Sequence, residues 1–482
     1  MQLARITDET RLAVLTLAER AAGLVAPSVR LGVTGLARAG KTVFITALVH
    51  NLIHGGRLPL FRAYAAGRIS GAALEPQPDD AVPRFDYERH VATLVDQRAW
   101  PDSTRQISEL RLTIRYESAT FVGRHIGRGV LNLDIVDYPG EWLLDLALLA
   151  KDYAVWSGEA LAAASVPARA ASAAPWLART ADIDAARPED EALARELSGL
   201  FTDYLLACRK GQAGLAVTPP GRFLMPGDLA GSPALTFAPL PVDGAPVPGS
   251  LGAMMARRYE SYKHAVVRPF FRDHFARLDR QIVLVDALEA LNAGAAAVGE
   301  LEAALAGILS AFRLGRSGWL ASLVSRRIDR ILFAATKADH LHHIDHDRLE
   351  AILRRIVARA IDRAAFAGAK VDVLALASVR ATSEGTVTRA GERLASIVGT
   401  PVPGEAVDGR TFDGTGEVAI FPGDLPDAPD AIFAQGEGGE SPLRFVRFRP
   451  PRLERTAEGF TLSLPHIRLD RAIEFLVGDR LA

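Results

Sequence analysis

The chain has 482 residues, 49% of them hydrophobic and 23% charged. That is the composition of a globular protein with chain for about three domains, and it excludes a disordered tail, a collagen-like fibre and a disulfide-stapled miniprotein. The 56 basic side chains almost cancel the 57 acidic ones, so no global field recruits a polyanion and nucleic-acid binding would need a local basic patch.

Only six basic residues are lysine (Lys41, Lys151, Lys210, Lys263, Lys337, Lys370), and the other fifty are arginine. Where lysine is this scarce, the identity of a retained one carries weight. The single cysteine, Cys208, forms no intrachain disulfide and builds no metal site by itself, which fits a reducing, cytosolic compartment. Leu12–Ala18 is apolar but flanked by Asp8, Glu9, Arg11, Glu19 and Arg20, so residues 1–27 read as an amphipathic helix and not as a signal peptide. No uncharged apolar run reaches the ~18 residues needed to span a bilayer, and any membrane role would be peripheral.

In chain order, Ser28–Thr34 reads as a buried strand, followed by a glycine-bearing loop and an apolar helix through Ile53. Residues 55–101 are irregular, with one helical stretch near Tyr87–Gln97, and are long for a connection. Leu110–Tyr116 and Gly129–Asp137 alternate around a Gly-Arg turn region and predict an antiparallel hairpin. These make 28–150 the first half of one domain. Residues 151–280 are Ala-rich, helical and interrupted by a Pro/Gly-rich segment, the pattern of an inserted helical domain. Gln281–Asp286, Arg330–Thr336 and Val371–Ala377 are apolar runs separated by helical patterns, which predicts a parallel sheet with right-handed crossovers over 281–382. The remainder, 383–482, reads as a β-rich extension closed by an amphipathic helix from Leu469 to Leu481. The fold class expected is α/β with a mostly parallel sheet, a large helical insertion and a C-terminal β-rich extension.

Gly35-Leu36-Ala37-Arg38-Ala39-Gly40-Lys41-Thr42 matches G-x-x-x-x-G-K-[ST]. Glycines let backbone N–H groups, through Val43, close around phosphate oxygens; Lys41 neutralises the β and γ phosphates, and the Thr42 hydroxyl ligates Mg²⁺. With lysine so scarce, chance would produce the pattern in about 0.4% of such chains, and the strand before and helix after are its confirming context. Asp137-Tyr138-Pro139-Gly140 ends a strand with D-x-x-G, where Asp137 can hold Mg²⁺ through water and the Gly140 N–H can sense a γ-phosphate. Thr336-Lys337-Ala338-Asp339 matches [NT]-K-x-D after another strand. A carboxylate there accepts two hydrogen bonds from guanine N1–H and its exocyclic amine, a donor pair that adenine lacks, while the Lys337 stem lies along the base. Ser378-Val379-Arg380 ends the next strand; the Val379 N–H is placed to meet the base O6, with Arg380 covering the ring.

This ordered set resembles the GTPase branch of P-loop proteins and, more narrowly, the bacterial YcjX-like family. The resemblance rests on Gly35–Thr42 with the following VFITALV, Asp137–Trp142, Thr336–Asp339, Phe421-Pro422-Gly423 and Leu464–Ala472, and it spans nearly the whole chain. It implies a Ras-like P-loop NTPase domain interrupted by insertions, GTP or GDP bound with Mg²⁺, a stress-linked role, and an inner-membrane protein of the YcjF-like family as partner. Members often carry an ATPase label.

Three positions depart from the Ras-like pattern or complete it. Glu141 stands where Gln usually positions the attacking water, so slow hydrolysis not driven by Glu141 is expected. Arg38, inside the phosphate loop, can stabilise transition-state charge in cis as an arginine finger. Thr104 is the expected switch threonine and second protein ligand of Mg²⁺, with Ser103 and Thr93 as alternatives. His340, His342, His343 and His346 cluster after Asp339, three of them at spacings compatible with a helix face, so a metal site is one reading; a solvated helix start is preferred, because no cysteine or second histidine group joins them. The function expected is a guanine-nucleotide switch with slow GTPase activity; an ATP-hydrolysing enzyme and a nucleotide-stabilised membrane-associated scaffold are the alternatives.

Overall fold

The structure, a computed structural model, describes residues 27–482 except 37, 103–105, 120–128, 211–218, 227–228, 243, 245, 311–327, 367, 390, 408, 434–442 and 454–462. The helix expected ahead of residue 27 and the switch candidates Ser103 and Thr104 therefore lie outside the described residues. The chain divides into two compact units, one of Met1–Pro139, Arg277–Gly299 and Gly315–Ala482, the other of Gly140–Ala276 and Glu300–Leu314.

The first unit is built on a seven-stranded sheet. Its strands are β1 (Ser28–Gly35), β2 (Ile69–Glu75), β3 (Ser108–Tyr116), β4 (Gly129–Asp137), β5 (Arg280–Val285), β6 (Arg330–Ala335) and β7 (Lys370–Ala375), in the spatial order β2-β3-β4-β1-β5-β6-β7. Strands β4, β1, β5, β6 and β7 are parallel, whereas β3 pairs antiparallel with β4 and β2 with β3. The parallel strands are apolar runs because both of their faces are covered. Val29, Leu31 and Val33 of β1 share a core with Phe44, Ile45 and Leu48 of the helix Lys41–Ile53 and with Ile473, Leu476 and Val477 of the helix Leu469–Val477. The helix His346–Ile356 turns Leu349, Ile352, Leu353 and Ile356, one amphipathic stripe, toward β6 and β7.

The edge strand β2 falls in the stretch read as irregular. Gly71, Ala72 and Ala73 have little β-propensity, and pairing with β3 from Ala72↔Ile114 to Glu75↔Arg111 makes the strand. Beyond β7 the chain forms β8 (Ser383–Arg389), β9 (Glu392–Gly399), β10 (Ala406–Val407), β11 (Arg410–Thr411) and β12 (Val418–Ile420). Strands β12, β9 and β8 make an antiparallel sheet over a small core of Ile397, Phe412, Ile420, Val446 and Phe448. This β-rich segment is thus inserted between β7 and the helix Leu469–Val477, which belongs to the layer covering the central sheet.

The second unit is helical, with Tyr153–Ala164, Pro167–Ala181, Glu191–Lys210 and Leu251–Tyr262 as its long helices. Its core is aromatic: Trp156 stacks on Tyr259 with ring centroids 4.9 Å apart, and Trp176 on Tyr204 at 5.4 Å. Offset stacks of this kind are worth about 1 kcal/mol each beyond the area they bury.

Candidate functional site

The carboxyl end of β1 lies between β4 and β5, so the chain leaves it at the point where strand order reverses, the place where open α/β sheets bind ligands. Gly35 is required there: a Cβ on it would sit 2.5 Å from the Leu284 carbonyl oxygen and 3.1 Å from the Ala39 Cβ. Gly40 has φ 86° and Arg38 φ 63°, two left-handed residues that fold the loop back before the helix starts at Lys41. Arg38 is exposed, Ala39 and Lys41 are buried, and Ala37 lies outside the described residues. The Lys41 ammonium donates to the carbonyls of Gly35, at 2.8 Å, and Leu36, at 3.2 Å. The first N–H groups of this 13-residue helix have no partner within the helix and carry its positive dipole end, as an anion site requires. Thr42 Oγ1 donates over 3.5 Å to the carbonyl of Asp102, immediately before the segment that holds Thr104.

Asp137 closes β4 opposite Val33 of β1 and is buried. The Tyr138 ring that follows is fully buried, which raises its phenol pKa far above the ordinary value. A hydroxyl at Thr42 and a carboxylate at Asp137 are hard oxygen donors of the kind Mg²⁺ takes, so the donor set fits that ion.

Thr336–Asp339 leaves the carboxyl end of β6, and the Thr336 N–H donates to Val285 of β5 at 2.9 Å. Lys337 adopts φ 61°, and its ammonium pairs with Asp286, the residue that follows β5 and caps the helix Ala287–Ala293 by accepting from the Glu289 N–H. Burial alone would lower the Lys337 pKa, but Asp286, Glu289 and Asp339 outweigh it and raise the value, so the ammonium stays charged. Glu289 moves upward through burial and the Asp286 charge, with Lys337 and the phosphate-loop Arg38 pulling it back. Arg38, Lys337, Asp286 and Glu289 therefore share one electrostatic environment.

The Asp339 side chain is 4% exposed, and its Oδ2 accepts the Ala381 N–H at 2.8 Å. Its backbone carbonyl accepts the Thr382 hydroxyl. The T-K-A-D loop is thus fastened to the segment after Ser378-Val379-Arg380. Val379 is buried, while Ser378 and Arg380 are half-buried. The Arg380 guanidinium is held by the Thr382 carbonyl at 2.9 Å and by Glu384 at 3.4 Å.

Sequence reasoning did not assign Asp286, Asn51 or the Leu464–Ile467 segment a role. Ala377 exchanges hydrogen bonds with Ile467, and the Arg380 N–H donates to Pro465 at 2.6 Å, so this segment runs along the S-V-R loop as a short antiparallel partner. Asn51 binds Leu464 twice, Nδ2 donating to its carbonyl at 3.1 Å and Oδ1 accepting its N–H at 2.9 Å. The helix behind the phosphate loop is in this way tied to the strap beside S-V-R. The four histidines after Asp339 do not share a helix face. His340 is buried edge-on against Phe448, and His346 bonds the Ala338 carbonyl at 2.9 Å; burial lowers the pKa of both.

Gly140 opens the second unit at the start of the helix Gly140–Leu144. Glu141, beside it, is buried and pairs with Arg209 at 3.3 Å. A Cβ on Gly221 would lie 2.0 Å from the Glu141 carbonyl oxygen, so the backbones meet only because residue 221 is glycine. Asp145 accepts the Gly221 N–H at 2.6 Å and the Tyr262 hydroxyl at 2.5 Å. Burial nevertheless lifts its carboxyl from 3.8 to about 6.

The strand order, with the phosphate loop on central β1 and the three further loops on neighbouring strand ends, defines an α/β P-loop NTPase fold of the Ras-like kind. The chain belongs to the YcjX-like family, DUF463, whose model matches residues 29–481. It is 39% identical over 466 residues to the Ras-like GTPase YcjX of Escherichia coli (strain K12), an alignment covering 94% of this chain and 96% of that protein. It is 33% identical over 474 residues to the Ras-like GTPase YcjX of Shewanella oneidensis, covering 94% of both.

The raised Asp145 pKa makes the folded protein hold a proton that the unfolded chain releases between 3.8 and about 6. Stability is therefore lost as pH rises through that window, by up to about 3 kcal/mol. Asp145→Asn should gain about that much over wild type between pH 4 and 7 in denaturant unfolding followed by tryptophan fluorescence. A pH-independent difference between the two proteins would contradict the assignment.

Proposed function

We propose that this protein is a guanine-nucleotide-binding switch that hydrolyses GTP to GDP slowly with Mg²⁺. The observation that carries the reading is the fastening of Lys337 and Asp339, on the β6 loop, to Asp286 and Ala381 at the same strand edge that bears Lys41. In this reading one nucleotide would lie along that edge, its phosphates at Lys41 and its base at Asp339.

In this reading the N–H groups of Gly35 to Val43, with Ala37, Arg38, Ala39 and Gly40 between them, cradle the phosphates, and Lys41 moves from the Gly35 carbonyl to the β and γ oxygens. Thr42 would hold Mg²⁺ directly, Asp137 through water and Thr104 as the switch ligand, and the ion would neutralise charge developing on the phosphates. The Gly140 N–H senses the γ-phosphate. Asp339 keeps its bond to Ala381 and still accepts from guanine, because an ionised carboxylate has about four acceptor positions. Lys337 covers one face of the base, Thr336 supports the loop, and Ser378, Val379 and Arg380 line the other side. A partner at the membrane, which the family resemblance implies together with a stress-linked role, would be met peripherally: no helix among the described residues is long and apolar enough to cross a membrane.

Hydrolysis is expected to be slow because Glu141 stands at the position of the water-orienting Gln and its carboxylate is buried and engaged by Arg209. Arg38 is the residue of this loop able to offset transition-state charge in cis.

Three measurements follow. Displacement of fluorescent GDP from Asp339→Asn should show an affinity loss of about 30-fold or more with little change for ADP; retained guanine preference would overturn the base assignment. In single-turnover assays Arg38→Ala should lower the hydrolysis rate about tenfold or more at unchanged GTP affinity, and an unchanged rate would remove Arg38 from catalysis. Glu141→Gln should stay within about tenfold of wild type; a larger fall would make Glu141 a participant.

A further inference from the structure

Outside the nucleotide crevice, the loop after Asp339 and the start of β8 bring two imidazoles and a carboxylate together. His343 Nδ1 lies 2.7 Å from Glu384 Oε2, and His342 Nε2 lies 3.8 Å from the same oxygen. The two rings are 4.4 Å apart between centroids, and one donor atom from each of the three residues falls within 4.8 Å of the others. Two ligands at about 2.0–2.1 Å from a tetrahedral ion stand about 3.3 Å apart. The observed 2.7 and 3.8 Å bracket that spacing, and His343, whose side chain is 62% exposed, is free to rotate outward by the small amount needed.

The surroundings leave these donors available. Arg380 occupies the other Glu384 oxygen, Oε1, at 3.4 Å, so Oε2 alone faces the rings. His340 and His346 are engaged elsewhere, against Phe448 and the Ala338 carbonyl.

We propose that His342, His343 and Glu384 form a binding site for a borderline divalent transition-metal cation, best fitted by Zn²⁺, with water completing a tetrahedron. Two imidazole nitrogens and one carboxylate oxygen form a donor set that selects zinc-like ions over Mg²⁺ and Ca²⁺. The ion would clamp the loop that follows T-K-A-D to the strand that follows S-V-R, across the same gap bridged by the Asp339 bonds to Ala381 and Thr382. Those loops carry the base-reading residues of the proposed function, but the metal site stands on its own donors and is tested without nucleotide.

The test is Co²⁺ titration of the chelator-stripped full chain in excess Mg²⁺, which saturates oxygen-donor sites. Wild type should take up one Co²⁺ with the intense visible absorption of tetrahedral coordination, and Zn²⁺ should displace it. His343→Ala and Glu384→Gln, both at partly exposed positions, should each weaken binding by about tenfold or more while leaving circular dichroism unchanged. Absence of a tetrahedral Co²⁺ spectrum in wild type would overturn the site, as would the same spectrum and affinity in both variants.

Discussion

Strand β1 is hydrogen-bonded on both sides by parallel neighbours, β4 from Ser28↔Asn132 onward and β5 from Leu31↔Arg280 onward. A central parallel strand cannot turn back on itself, so its exit must cross over the sheet, and the crossover begins with a tight loop into a helix. Every functional feature hangs on that exit. It puts the N-terminal end of the helix Lys41–Ile53 at the sheet edge where β4, β5, β6 and β7 also end. Asp137, Asp286, the T-K-A-D loop and the S-V-R loop are then neighbours because their strands are.

The edge is held by polar bonds that are few and long in sequence. Asn51 reaches Leu464 across 413 positions, Lys337 reaches Asp286 across 51, and Asp339 reaches Ala381 across 42. Each satisfies a group that burial would otherwise leave unpaired, at a cost of about 1–3 kcal/mol. The β-rich insertion after β7 makes this bracing necessary. The chain departs for β8 to β12 and must return along Leu464–Ile467 before Leu469–Val477 can cover the sheet. The strap beside the S-V-R loop is the return path, which gives the Leu464–Ala472 motif a physical task.

Legibility in the sequence followed the range of the interactions. The parallel strands read as apolar runs because both faces are buried, and the phosphate loop was visible because Gly35, Gly40 and Lys41 each answer a local demand of backbone or charge. Strand β2 was not legible: Gly71, Ala72 and Ala73 carry no strand signal, and only β3 makes them a strand. Asp286 was visible only as a strand end, since its partner Lys337 arrives through the fold. The histidines after Asp339 looked like a solvated helix start for the same reason: Glu384, which gathers two of them, is remote in sequence and comes from the inserted β segment.

In the function proposed above, these loops form one guanine-selective nucleotide site. Isothermal calorimetry of the wild-type chain with GDP and with ADP, each with Mg²⁺, tests it most directly. One GDP should bind per chain, with ADP weaker by about 100-fold or more, the discrimination that a buried carboxylate left unpaired by adenine supplies. ADP binding as tightly as GDP would contradict it.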